Sequence, residues 1–260
     1  MMVRSRAGSS AGGMSASALG RRAAVAAASA ALLLALAACS AGSPSEGAAT
    51  SPTPTAAASA PKPCWAGLGG TTADVSGTPG LEVVLLGSGT RTVVISNQSD
   101  GDLCVWLPFA RTLLDKGFRV ALYNYVGNSG ENLQAVVKHL RASGAGSIAV
   151  LGGSEGAKAS IVAAAALDPQ PAALVSLSPE VALQRVPVEP SAAAVRCPAL
   201  FVTGDDDGFG STPATKTFYE VSPSTDKKLI VIPGKDHGIE LLSHPDVNEA
   251  VLAFLAEHLT

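Results

Sequence analysis

Aromatic residues make up only 4% of this 260-residue sequence, and charged residues only 15%. The scarcity of aromatics counts against a large sugar- or lipid-binding surface. Lys and Arg together number 18 against 21 Asp and Glu, for a net charge of −3. There is no basic excess to neutralise phosphates, which excludes nucleic acid as a charge-driven partner. Cysteine is sparse as well, at four. No CxxC pair or Cys/His cluster has metal-ligand spacing, which argues against a structural zinc site. Beyond position 40, Gly, Pro and charged residues interrupt every apolar run, so no second span of about 18–20 apolar residues exists. What is abundant is apolar aliphatic residue. With 47% apolar content, a mostly disordered chain is excluded.

The greasiest segment lies at the start. Residues 1–38 hold four arginines (Arg4, Arg6, Arg21, Arg22) and no acid, and Ala23–Ala38 is Ala, Val and Leu apart from Ser29. A basic stretch followed by such a run reads as an export signal. It ends Leu36-Ala37-Ala38-Cys39, which resembles the bacterial lipobox. That resemblance implies cleavage before Cys39, lipidation of its thiol and anchorage on the outer face of the cell membrane. The remainder carries 14 basic and 21 acidic residues, net −7. Attachment would then rest on acyl chains, not on attraction to anionic lipid.

Residues 39–63 read as a lipidated N-terminus and a spacer. The stretch is Ser/Thr/Ala/Pro-rich with five prolines and cannot bury a core. Residues 64–260 remain for one domain. In an exported domain a disulfide is expected. Cys64 could pair with Cys104 or with Cys197, and one thiol is left over either way.

From about residue 72 short apolar strands alternate with helices. Strands are expected at Leu81–Leu86, Thr92–Ser96, Arg119–Tyr125, Ser147–Leu151, Leu174–Leu177, Ala199–Thr203 and Lys228–Ile232. Helices are expected at Pro108–Lys116, Glu131–Ala142, Ser154–Leu167, Pro213–Val221 and Pro245–His258. The strands lack polar alternation, as burial on both faces requires. The pattern predicts an α/β fold with a mostly parallel central sheet and helices on both faces. Sites in such sheets form at the carboxyl ends of the strands.

After SIAVL comes Gly152-Gly153-Ser154-Glu155-Gly156, a G-x-S-x-G. A second match, Gly8-Ser9-Ser10-Ala11-Gly12, falls in the export segment. Only Ser154 lies between a buried strand and a helix, the setting that makes such a serine a nucleophile. Without that role, the motif is a glycine-rich strand-to-helix turn that could bind an anion.

With this motif the domain resembles the α/β-hydrolase family over about residues 80–260. The resemblance implies that fold and a triad in the order Ser, then Asp or Glu, then His; little or no cap is expected from the short connection between LVSL and ALFVT. It places the acid in Gly204-Asp205-Asp206-Asp207, where G-x-x-D selects Asp207 over Asp205 and Asp206. It places the histidine in Gly234-Lys235-Asp236-His237-Gly238. A serine hydroxyl needs a neutral imidazole to take its proton, and the imidazole needs a carboxylate to fix its tautomer. The oxyanion hole would use the N–H groups of Glu155 and Ser99. Many relatives carry His-Gly-x in the latter loop with Trp nine residues after the His. Here Asn97 and Gln98 replace His and Gly, and Trp106 keeps the spacing. Asn124 and Gly127 resemble the family's structural Asp-x-x-Gly turn.

About twenty residues separate LVSL from ALFVT, too few for an ordinary helical cap. A shallow, open site is expected, suited to small or extended acyl substrates. Trp106, Phe109 and Phe209 read as core more readily than as lining, and Glu180 as a solvated loop residue. His139, His244 and His258 sit in helix patterns or at their ends. The leading expectation is a membrane-tethered serine hydrolase acting on a small acyl ester or thioester, with no metal or organic cofactor. The rivals are a non-catalytic binding lipoprotein on a hydrolase scaffold, supported by Asn97-Gln98, and a peptidase with the same triad. Oligomeric state is not legible in the sequence.

Overall fold

The computed structural model describes residues 63–260. The export signal, Cys39 and the spacer as far as residue 62 lie outside the described residues. Among the described residues no helix is long and apolar enough to cross a membrane.

The elements run β1 (Thr71–Asp74), β2 (Glu82–Leu86), β3 (Thr92–Ser96), α1 (Leu107–Asp115), β4 (Arg119–Tyr123), α2 (Ser129–Ala142), β5 (Ile148–Gly153) and α3 (Glu155–Ala166). They continue with β6 (Ala173–Leu177), β7 (Ala182–Leu183), β8 (Val186–Pro187), α4 (Glu189–Ala192), β9 (Ala199–Gly204), α5 (Ser211–Val221), β10 (Lys227–Ile232) and α6 (Pro245–His258). Eight strands form one sheet in the order β1-β2-β4-β3-β5-β6-β9-β10. The β1–β2 and β2–β4 pairs are antiparallel, and all others are parallel.

Every expected strand and helix is present, with ends moved by at most two residues. The side chain of Asn128 accepts from the Glu131 N–H at 3.1 Å, which starts α2 earlier than its apolar spacing indicates. β1 was not expected. Its TTAD sequence is mostly exposed, because an outer antiparallel strand need not be buried on both faces.

Side chains alternate between two cores, one per sheet face. On β5, Ile148 and Val150 join Leu133, Val137 and Ile161 of α2 and α3. Their neighbours Ala149 and Leu151 join Trp106, Leu113, Val251 and Phe254, on the side of α1 and α6. Period-two alternation of apolar residues thus fills both faces. Cys64 and Cys104 form the disulfide, with Cα atoms 6.0 Å apart, and Cys197 is a buried free thiol. Between β6 and β9 there is only the β7–β8 hairpin and the four-residue α4, so among the described residues no helical cap is inserted there.

Candidate active site

Ser154 occupies the turn from β5 into α3 with φ 51° and ψ −116°. A serine at positive φ is strained, and such strain clusters at functional turns. The flanking glycines make the turn possible. A Cβ on Gly156 would lie 2.0 Å from the Ser96 carbonyl oxygen, and one on Gly152 would lie 2.2 Å from the Gly156 carbonyl oxygen. Neither position admits a side chain while β3, β5 and α3 keep this approach.

The loops after β9 and β10 bring the acid and the imidazole together. Asp207 Oδ2 is 2.8 Å from His237 Nδ1, and the Asp207 side chain is fully shielded from solvent. The other two aspartates do different work. Asp205 Oδ1 accepts from the Gly234 N–H at 2.8 Å and ties the two loops together. Asp206 is exposed, 3.7 Å from Lys235. The His237 backbone N–H donates to Glu240 Oε2 at 3.2 Å.

The loop after β3 is built without the His-Gly pair. Asn97 is buried, and its Oδ1 accepts both the Trp106 indole N–H at 3.0 Å and the Gln98 N–H at 2.9 Å. Its amide donates to the Gly101 carbonyl at 2.6 Å. Tyr125 donates to the Asn97 carbonyl, and Ser96 Oγ bridges Tyr123 and Tyr125 at 2.8 and 3.2 Å. Burial pushes both phenols well above their ordinary range, so they remain neutral hydrogen-bonding groups. Gln98 is not at positive φ, so no glycine is needed there. Its Oε1 accepts the Ile239 N–H at 3.1 Å, fastening this loop to the one that carries His237. Among the described residues the N–H groups of Glu155 and Ser99 have no hydrogen-bond acceptor. The former opens α3, where helix N–H groups lack internal partners.

Two sequence expectations are corrected. Glu180 is not a solvated loop residue. Its side chain is 20% exposed, its Oε1 accepts the Ser154 hydroxyl at 2.9 Å, and its Oε2 is 2.5 Å from Lys158 Nζ. Ser154 accordingly donates to Glu180 rather than to His237, whose Nε2 stands 3.6 Å from the same carboxylate oxygen. Lys158 also pairs with Glu155 at 3.2 Å, and Ser129 donates to Glu155 at 2.8 Å. Lys158 went unnoticed in the sequence, although a lysine one turn after the serine on an otherwise Ala-rich helix was a signal. Phe209, which reads as core, is 69% exposed with its ring centroid 4.3 Å from that of His237. Trp106 and Phe109 are core. Asp226, Glu257 and His258 bring three ligand-type atoms within 4.8 Å. They lie where β10 begins, away from the strand ends that carry the site, and Glu257 already pairs with Lys228 at 3.1 Å.

No family profile matches the chain, and no characterised protein sequence matches it. Solved structures do. An esterase of Pyrococcus furiosus superposes with a TM-score of 0.67 at 16% identity, over 75% of this chain and 96% of that one. A monoacylglycerol lipase of Paleococcus ferrophilus gives 0.60 at 14% identity, over 68% and 99%. A dienelactone hydrolase of Anabaena variabilis gives 0.59 at 17% identity, over 73% and 94%. With a mostly parallel eight-stranded sheet, helices on both faces and these neighbours, the described chain has the α/β-hydrolase fold.

Proposed function

We propose that the protein is a serine hydrolase that cleaves carboxylic esters or thioesters, tethered to the membrane through lipid on Cys39. One observation carries the reading: the 2.8 Å contact of Asp207 with His237 Nδ1, beside a serine held on a strained strand-to-helix turn. Asp207 holds the imidazole with Nε2 toward the serine. His237 takes the hydroxyl proton as Ser154 Oγ bonds to the acyl carbon, and returns it to the leaving alcohol or thiol. Water then releases the acid by the same proton path. The oxyanion is met by the free N–H groups of Glu155 and Ser99. The esterases and hydrolases among the structural neighbours support this reaction class. The short connection between β6 and β9 favours short or extended acyl groups. Tethering rests on the Leu36–Cys39 pattern.

The test is labelling of the purified chain with a serine-reactive fluorophosphonate. Wild type is expected to label and Ser154→Ala is not. A wild type that fails to label, or a Ser154→Ala variant that labels equally, would leave a binding protein on this fold. A series of p-nitrophenyl esters should show turnover falling beyond short chains. Cys39→Ser should move the protein out of the membrane fraction or leave its signal uncleaved.

A further inference from the structure

The triad does not account for Glu180. Its Oε1 accepts the Ser154 hydroxyl at 2.9 Å and stands 3.6 Å from His237 Nε2. Its Oε2 is ion-paired to Lys158 at 2.5 Å, and Lys158 is fastened in turn to Glu155 at 3.2 Å. The carboxylate is therefore held from behind, with one oxygen turned to the reacting atoms. The backbone that presents it is also fixed. Ser178 is fully buried at φ 54°, and its N–H donates to the Val202 carbonyl at 2.8 Å. A non-glycine residue in that conformation persists only where the surroundings enforce it. Pro179 then removes one more backbone freedom before Glu180.

The position of Oε1 has a chemical meaning in the reaction proposed above. Nε2 hands the serine's proton to the departing alcohol oxygen, so that oxygen must come within hydrogen-bond reach of Nε2. Glu180 Oε1, 3.6 Å from Nε2 and bonded to the serine hydroxyl, borders this place. The alcohol part of an ester must therefore meet the carboxylate as it binds. For attack, Ser154 must also give up its bond to Glu180 and turn to His237. An alcohol part made only of C–H groups leaves the carboxylate oxygen without a donor. One with a hydroxyl or ammonium group next to the ester oxygen replaces the lost bond. Hydrogen bonds to carboxylates are among the stronger ones, and a half-buried acceptor left unpaired is unfavourable.

We propose that Glu180 is a specificity-determining residue, selecting esters whose alcohol part carries a hydroxyl or ammonium donor beside the scissile oxygen. The inference rests on the serine-hydrolase reading. The donor takes Glu180 Oε1, and the freed Ser154 hydroxyl passes its proton to His237 Nε2 as Oγ bonds to the acyl carbon. The C–O bond to the alcohol then breaks, and that oxygen takes the proton from Nε2. Water attacks the acyl-enzyme along the same path, releasing the acid and restoring the Ser154 hydroxyl.

The test compares 2-hydroxyethyl butyrate with ethyl butyrate by pH-stat titration, using the full chain. Wild type should favour the hydroxyethyl ester by on the order of tenfold in kcat/KM, the size expected of one hydrogen bond to a charged group. Glu180→Ala should bring the ratio of kcat/KM for the two esters close to one. Glu180→Gln, which keeps a neutral acceptor, should give an intermediate ratio. Lys158 retains Glu155 as a partner in both variants, and thermal melts check that they fold. If Glu180→Ala fails to fold, Glu180→Gln decides. Equal use of the two esters by wild type, or a preference that survives both variants, would overturn the assignment. Fluorophosphonate labelling separates the two levels. A labelled enzyme without the preference removes only the role of Glu180, while an unlabelled wild type removes the hydrolase reading and this one together.

Discussion

Replacing Gly156 by alanine tests the packing that creates the serine turn. The added Cβ would stand 2.0 Å from the Ser96 carbonyl oxygen and 2.6 Å from that of Asn97. Both obstacles are backbone, in or beside a strand buried on both faces, so no rotamer change relieves them. Ordinary contact begins at 3.4 Å, so α3 and β3 must separate by more than 1 Å. Overpacking of this kind costs about 1–3 kcal/mol and sometimes more. For a domain of this size that is a fall in Tm of roughly 2–12 °C. The same shift moves Ser154 and the Glu155 N–H relative to Ser99 on the loop after β3. Misplacement by about 1 Å can lower reactivity on the order of a hundredfold. Circular dichroism melts and the rate of fluorophosphonate labelling give the two readouts. Gly67→Ala is the control, since a Cβ there meets nothing within 4 Å and its φ is not positive. A Gly156→Ala variant that melts and labels like wild type would refute the close-approach argument.

Asp207→Asn should reduce fluorophosphonate labelling by several orders of magnitude, as loss of the orienting carboxylate does in Ser-His-Asp sites, whereas Asp205→Asn should act mainly on loop stability. Equal effects in a kinetic comparison would reassign the acid. Asn97→Ala leaves the buried Trp106 indole N–H without its acceptor and should cost about 1–3 kcal/mol in urea unfolding. Burial pushes the Cys197 thiol up to about 12. The thiol is thus neutral at about pH 8.5, and a thiol reagent should react there only after denaturation. The stabilisation linked to this shift is complete below the ordinary thiol range and is lost as pH rises through the shifted value. Removing the Cys64–Cys104 bridge, which spans 40 residues, should destabilise the domain by about 4 kcal/mol in the chain-entropy estimate, read from urea midpoints.

The sequence by itself determined the sheet-and-helix alternation, because strands buried on both faces must be apolar and helices must carry a stripe. It also marked Gly152, Ser154 and Gly156, since a turn this tight leaves a local signature at fixed spacing. Residue type by itself did not separate Asp205, Asp206 and Asp207, and only the G-x-x-D of the resembled family pointed to Asp207. That choice lies in the directions of the loops after β9 and β10, which turn Asp205 to a backbone amide and Asp207 to His237. Nor could the sequence pair Cys64, because the spacing permits either partner. Asn97 and Gln98 read as defects against the resembled pattern. Their side chains instead hold Trp106 and the His237 loop, contacts 9 and 141 residues away along the chain. Glu180 was hidden for the same reason. It stands 26 residues from Ser154 with no motif around it, and only the adjacency of β5 and β6 puts its carboxylate on the serine. Local spacing is written in the sequence, whereas a contact between two strand ends exists only once the sheet has set their order.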